Sequence, residues 1–134
     1  MACSLTRLFR PLFKRSPVAK KVIFIGIDYL CFSLSKSLLD NNKHSGKPIE
    51  ITAFIDDEPW NNRTVVNGAT VFSPSEIAAL VQRNKVDLII QIQGESIDIA
   101  DNIWENIVKT NAKIITLHQD QDMTAMQQSI YNAC

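Results

Sequence analysis

Hydrophobic residues along this chain fall into two alternating patterns. The first is a short, unbroken apolar run rich in β-branched residues, as in Val22–Ile25. A run of that kind fits a strand buried on both faces. Ile49–Ile55, mixed in pattern but apolar at its end, Val86–Ile92, centred on Leu88-Ile89-Ile90, and Lys113–Leu117 read the same way. The second pattern is helical spacing. Tyr29–Asp40 places Leu30, Leu34, Leu38 and Leu39 on one side, with Phe32 a candidate to join them. Ile77, Leu80 and Val81 form the stripe of a second helix. Ala100, Ile103, Trp104, Ile107 and Val108 mark a third over about Asp98–Thr110, and Met123, Met126 and Ile130 a short last one over about Asp122–Tyr131.

Turn chemistry separates these elements. Asn41–Pro48 is a polar loop, and Asp56-Asp57-Glu58-Pro59 closes the second strand. Arg63–Val66 and Ala69–Phe72 flank Asn67-Gly68, a strong signal for a tight hairpin turn, and Ala69–Phe72 is expected to supply strand three. Ser73-Pro74-Ser75-Glu76 spells a helix start with a capping box, and Asn84 is the expected stop. Strands alternating with helices predict an α/β fold: a doubly wound parallel sheet of about five strands, helices on both faces. Right-handed crossovers then favour the order 3-2-1-4-5. A ligand would sit where the winding reverses, at the carboxyl ends of strands one and four.

Composition changes this picture at the N-terminus. The chain has 134 residues, enough for one domain with a real core, and its net charge is zero, which points to no nucleic-acid partner. The first 21 residues nevertheless hold six basic side chains and no acid. Within them Leu5, Leu8, Phe9, Leu12 and Phe13 keep helical spacing between Arg7, Arg10, Lys14 and Arg15, although Pro11 would disturb a helix. Residues 1–19 therefore read as a basic amphipathic arm on a domain over 20–134. The arm has three readings: a loose tether, a membrane-surface contact through residues 5–15, or an organelle transit segment. Cys3, Cys31 and Cys134 are odd in number and lack metal-ligand spacing, which suits a reducing, cytoplasmic setting, with membrane association through the arm as the alternative. No apolar run approaches the roughly 20 residues of a membrane span.

Three groups of residues could carry chemistry. Gly26-Ile27-Asp28-Tyr29-Leu30-Cys31 stands where a dinucleotide-binding turn would read G-x-G-x-x-G. The first glycine is present. Asp28 replaces the second, where it would oppose a diphosphate or else cap the first helix, and Cys31 replaces the third. Asp56-Asp57, the former 30 residues after Gly26, places an acid where adenosine ribose hydroxyls are held, or else forms a solvated turn. Gln91, Gln93, Glu95 and Ser96 close strand four, as readers of a base or sugar or as the polar start of the third helix. His44 and His118 are expected at the surface. Trp60 could stack on a base or mark a contact surface. No Tyr-x-x-x-Lys pair, Ser/His/Asp set or Gly-rich phosphate loop is found, so no catalytic residue is assigned.

Four segments occur in order: Lys21–Gly26, Ala53-Phe54-Ile55-Asp56-Asp57-Glu58-Pro59, Val66-Asn67-Gly68-Ala69-Thr70-Val71-Phe72 and Val86–Ile90. Together they resemble the Rossmann-like, CoA-binding-type domain of bacterial polysaccharide-biosynthesis nucleoside-diphosphate-sugar epimerases/dehydratases. The same module resembles the N-terminal part of some sugar acyltransferases and polyprenyl-phosphate sugar-phosphate transferases. The resemblance covers roughly residues 20–118. It implies that the Gly26 turn holds phosphate and Asp56 a ribose, with NAD or another nucleotide as cofactor and a nucleotide or nucleotide-sugar as partner. In that family the module lies between membrane-spanning helices and a separate catalytic domain. The expectation is therefore a nucleotide- or nucleotide-sugar-binding module of surface-polysaccharide biosynthesis, not catalytic alone, acting as a homo-oligomer or with a catalytic subunit. The alternatives are a piece of an NAD-dependent epimerase/dehydratase, or an interaction module whose cofactor pocket has decayed.

Overall fold

A computed structural model describes residues 18–94 and 97–134. The amphipathic stripe at 5–15, Glu95 and Ser96 lie outside the described residues. Six strands of the described residues form one sheet: β1 (Lys20–Ile25), β2 (Ile49–Ile55), β3 (Val65–Val66), β4 (Ala69–Phe72), β5 (Leu88–Gln93) and β6 (Lys113–His118). Among the described residues are four α-helices: α1 (Tyr29–Asn41), α2 (Ile77–Asn84), α3 (Asp101–Val108) and α4 (Met123–Ala133), the first three between strands and the last after β6. The order across the sheet is β3-β4-β2-β1-β5-β6. All pairings are parallel except β3 with β4.

This corrects the expected five strands to six. Both arms of the Asn67-Gly68 hairpin enter the sheet, Ala69–Phe72 beside β2 and Val65–Val66 antiparallel outside it. The cause is local. Asn67 and Gly68 both have positive φ, 47° and 83°, a turn whose twist keeps the two strands paired. The other five strands keep the order expected for right-handed crossovers.

Two apolar layers sandwich the sheet. On one face Val22, Phe24, Phe54 and Ile90 pack with Leu34 and Leu38 of α1 and Met126 and Ile130 of α4. Phe24 and Phe54 stack there with ring centroids 5.6 Å apart, a pair worth about 1 kcal/mol beyond its buried area. On the other face Ile23, Ile55 and Ile89 pack with Ile77, Leu80 and Val81 of α2 and Ile107 of α3. Burial on both faces is why the strands read as continuous apolar runs.

The mixed pattern of β2 has a structural reason. Val22 pairs with Ile51 but Ile23 with Ala53, so Thr52 is an extra residue in the ladder. One extra residue flips the side-chain alternation. Ile49 and Ile51 therefore share a face with Phe54, while Ala53 and Ile55 point to the other layer. Two helices also differ from their sequence pattern. Phe32 is 41% exposed, outside the inner side of α1. α3 begins at Asp101, not Asp98, because Ala100 is extended (φ −61°, ψ 150°); Ala100 and Val108 are exposed, and only Ile107 of this helix is fully buried.

Candidate functional site

Parallel strands bring their ends to one edge. Ile25 is in register with Ile55 on one side and Gln91 on the other, so the residues following β1 and β2 emerge together. The Gly26 N–H donates to Ile55 O at 2.8 Å, and the Asp56 N–H to Phe72 O at 3.1 Å. Gly26 and Asp56, thirty positions apart, are neighbours at this carboxyl edge. Gly26 is buried with φ 122°, a conformation essentially confined to glycine, and it turns the chain into α1. A second positive-φ glycine, Gly94 with φ 99°, directly follows β5. The winding reverses between these two strands.

Beyond Gly26, Ile27 is half-buried and packs into the α1–α4 layer. Asp28 occupies the N-cap position of α1 in extended conformation. Its carboxylate makes no capping hydrogen bond, which corrects the capping role open to it from sequence. The Asp28 carbonyl accepts from Phe32 N–H at 2.9 Å. Tyr29 is 79% exposed and does not fill the crevice. Cys31, where a third glycine would stand, is fully buried with Sγ directed at Ile25 O, 3.8 Å away. A buried thiol thus takes over the helix–strand contact that glycine makes in the dinucleotide fingerprint.

Asp56 is held in place. Its Oδ2 accepts from Asn61 Nδ2 at 2.8 Å and from Glu58 N–H at 3.3 Å. Oδ1 makes no hydrogen bond among the described residues, so one carboxylate oxygen is left to accept a ligand hydroxyl. Asp57 is exposed beside it, and Trp60 is 74% exposed in the short 3₁₀ turn that carries Asn61. Asn61 is a site residue that sequence reading missed; an amide five positions after the acid was the available signal.

The β5 amides lean toward β6. Gln91 Nε2 donates to Thr116 Oγ1 at 2.9 Å, and Gln93 Oε1 bonds the Nδ1 of His118. His118 is exposed, as expected, but it is engaged, a pairing set by the register of Gln93 opposite His118. Gln93, Gly94, His118, Gln119 and Asp120 line a cleft of about 360 Å³. A larger cleft, about 490 Å³, lies at the opposite, amino edge between Val81, Lys85 and Asn111. Among the described residues no group of three or more His, Cys, Asp or Glu could hold a metal ion.

The carboxyl edge therefore offers carboxylate and amide acceptors and the first-turn N–H groups of α1, which receive no side-chain cap. That set suits ligand hydroxyls. The fit to a nicotinamide dinucleotide is partial: Gly26 supplies the tight turn and Asp56 the acceptor its ribose needs, whereas Asp28 places a carboxylate where a diphosphate would approach.

No family model matches the chain, and no curated protein matches it. Solved structures do. The chain resembles UDP-D-quinovosamine 4-dehydrogenase from Vibrio fischeri with a TM-score of 0.62 at 21% identity, covering 82% of this chain and 87% of that one. It resembles the Rex-family repressor RSP with a TM-score of 0.58 at 12% identity, over 96% of this chain and 64% of that one. A third neighbour is S. aureus homoserine dehydrogenase, with a TM-score of 0.57 at 14% identity, over 87% of this chain and 30% of that one. The chain thus spans most of the first neighbour and under a third of the last. What these proteins share with it is the architecture: the chain has a Rossmann-like fold.

Proposed function

We propose that this protein is a nucleotide- or nucleotide-sugar-binding Rossmann-like module that acts in surface-polysaccharide biosynthesis and is not catalytic on its own. The observation that carries the reading is the shared edge: a positive-φ glycine corner at the tip of β1 beside a braced carboxylate at the tip of β2. In this reading Asp56 Oδ1 accepts the ribose hydroxyls. The Gly26–Tyr29 turn and the N-terminus of α1 face the phosphates, and Gln91 and Gln93 face the part of the ligand over β5. Asp57 extends the acceptor surface at the ribose end. Two neighbours support the choice of ligand class: one is a UDP-sugar dehydrogenase, and RSP has been crystallised with β-NADH. The link to polysaccharide synthesis rests on the resemblance of Ala53–Pro59 and Val66–Phe72 to the epimerase/dehydratase module.

The test is calorimetric titration of the full chain with NAD⁺, NADH, CoA and UDP-sugars. One of them should bind, and Asp56→Asn should weaken it about tenfold, the loss expected for one charge-assisted hydrogen bond. The Asn side chain still accepts from Asn61 and Glu58, so the loop is kept. Silence toward every nucleotide overturns the proposal, and so does binding indifferent to Asp56→Asn.

A further inference from the structure

The carboxyl edge extends past the Gly26–Asp56 crevice to the tips of β5 and β6, where Gln93 stands opposite His118. Beyond β5, the Gln119 carboxamide lies across Gly94: a Cβ on Gly94 would stand 2.5 Å from Gln119 Nε2. Glycine is thus required there twice, for its φ of 99° and for the room it leaves. The turn after β6 closes on itself. Gln121 N–H donates to His118 O at 3.1 Å, and Gln121 Oε1 accepts from His118 N–H at 2.8 Å. Asp122 then caps α4, accepting from Ala125 N–H at 2.7 Å. Gln119 and Asp120 are therefore held at the tip of a turn fixed on both sides. In the Gln93–His118 pair, Gln93 Oε1 can only accept, so the proton sits on His118 Nδ1 and Nε2 of the neutral ring is left as an acceptor. Outside that pair, the side chains of Gln93, His118, Gln119 and Asp120 make no hydrogen bond or ion pair among the described residues. They surround the cleft of about 360 Å³ with their polar groups unspent.

We propose that this cleft seats the sugar of a nucleotide-sugar and that the sugar is a neutral monosaccharide; the proposal rests on the nucleotide-binding reading above and narrows it. The lining offers two carboxamides, an imidazole and a carboxylate, and no aliphatic side chain. A monosaccharide ring carries hydroxyls around its rim and can pair with such a set. A nicotinamide ring or the aliphatic arm of CoA would cover these groups and leave them unpaired. Charge narrows the class further. Asp120 is the one acidic residue of the lining, and no Lys or Arg joins it. A neutral hydroxyl donates to that carboxylate, whereas a phosphate or a uronate is repelled by it. The position suits a ligand anchored elsewhere. From β2 to β6 is three strand spacings, roughly 14 Å. With its ribose on Asp56, an extended nucleoside diphosphate crosses β1 and sets its sugar over the tips of β5 and β6. All five lining residues are exposed, so the cleft is an open shelf. The nucleotide half supplies the anchoring and the shelf supplies the selection, acting on a sugar already held close.

The test is calorimetric titration of the full chain with UDP, UDP-glucose, UDP-galactose, UDP-N-acetylglucosamine, UDP-glucuronate and NAD⁺. At least one of the three neutral sugar nucleotides should bind about tenfold or more tighter than UDP, the gain of one hydrogen bond to a carboxylate. Asp120→Ala should reduce that advantage over UDP about tenfold. UDP-glucuronate should bind no better than UDP, and Asp120→Asn, which removes the charge and keeps the shape, should tighten it about fivefold. Asp56→Asn should weaken UDP and the sugar nucleotides alike, because it acts on the half they share. UDP binding as tightly as every neutral sugar nucleotide overturns the sugar site and leaves the nucleotide reading standing. So does NAD⁺ binding tighter than all of them, and so does a sugar advantage that survives Asp120→Ala or a uronate affinity indifferent to Asp120→Asn. Silence toward every nucleotide overturns both.

Discussion

Replacing Thr52 by valine should make the protein more stable. Thr52 is the extra residue in β2, and its Oγ1 is buried without a hydrogen-bond partner among the described residues. An unsatisfied buried hydroxyl costs about 1–3 kcal/mol in lost hydration. Valine has nearly the same shape and keeps the β-branch, so the bulge and both layers around it need not move. Thr52 as a whole is only half-buried, which favours the lower part of that range, about 1–2 kcal/mol. The described fold holds about 115 residues, for which unfolding entropy near the midpoint gives roughly 4 °C per kcal/mol. Thr52→Val should therefore raise Tm by about 4–8 °C in calorimetry, with an unchanged urea m-value. Thr52→Ser, which keeps the hydroxyl and removes a methyl, should lower Tm. A valine variant melting at or below the parent temperature would refute the reasoning, since the hydroxyl would then have to be satisfied.

Two further substitutions probe backbone and charge. Gly26→Ala forces a Cβ onto a buried residue at φ 122° and should cost about 2 kcal/mol; urea unfolding measures it, and a loss below about 0.5 kcal/mol would contradict the observed corner. Glu76 gives the pH test. Burial draws its carboxyl upward, but the Ser73 N–H and hydroxyl and the Arg63 guanidinium outweigh that and hold it below 4.5. A depressed carboxylate contributes stability that is present above its unfolded pKa and is lost as pH falls through the folded one. Glu76→Gln should therefore lower Tm at pH 7, and the gap to the parent protein should narrow between about pH 5 and pH 3.

The elements with strong local chemistry were legible in the sequence. Asn67-Gly68 marks its hairpin because both residues tolerate positive φ. Ser73–Glu76 starts its helix because the Glu76 carboxylate reaches back to the Ser73 N–H at 3.0 Å. What stayed illegible depends on neighbours. The Thr52 bulge looks like noise in β2, because a single flip of alternation has meaning only against the β1 register. α3 starts late because Ile99 is buried in the core ahead of the helix and Ala100, next to it, is extended. At the site, Gly26 and Asp56 could be placed from strand order alone. The brace from Asn61 and the Gln93–His118 pair could not, since each depends on a side-chain direction set by a loop or by cross-strand register.

The two-residue strand β3 has a consequence for behaviour at high concentration. With Arg63 N–H donating to Val71 O and Val71 N–H to Thr64 O, both at 2.8 Å, the hairpin occupies the outer hydrogen-bonding groups of β4. It leaves a stub too short to recruit a strand from another molecule. The other flank of the sheet is β6, six residues long and paired on one side among the described residues, with Lys113, Thr116 and His118 exposed along it. Crowded preparations should therefore begin to form fibres through β6, and a lysine placed at its centre should delay them.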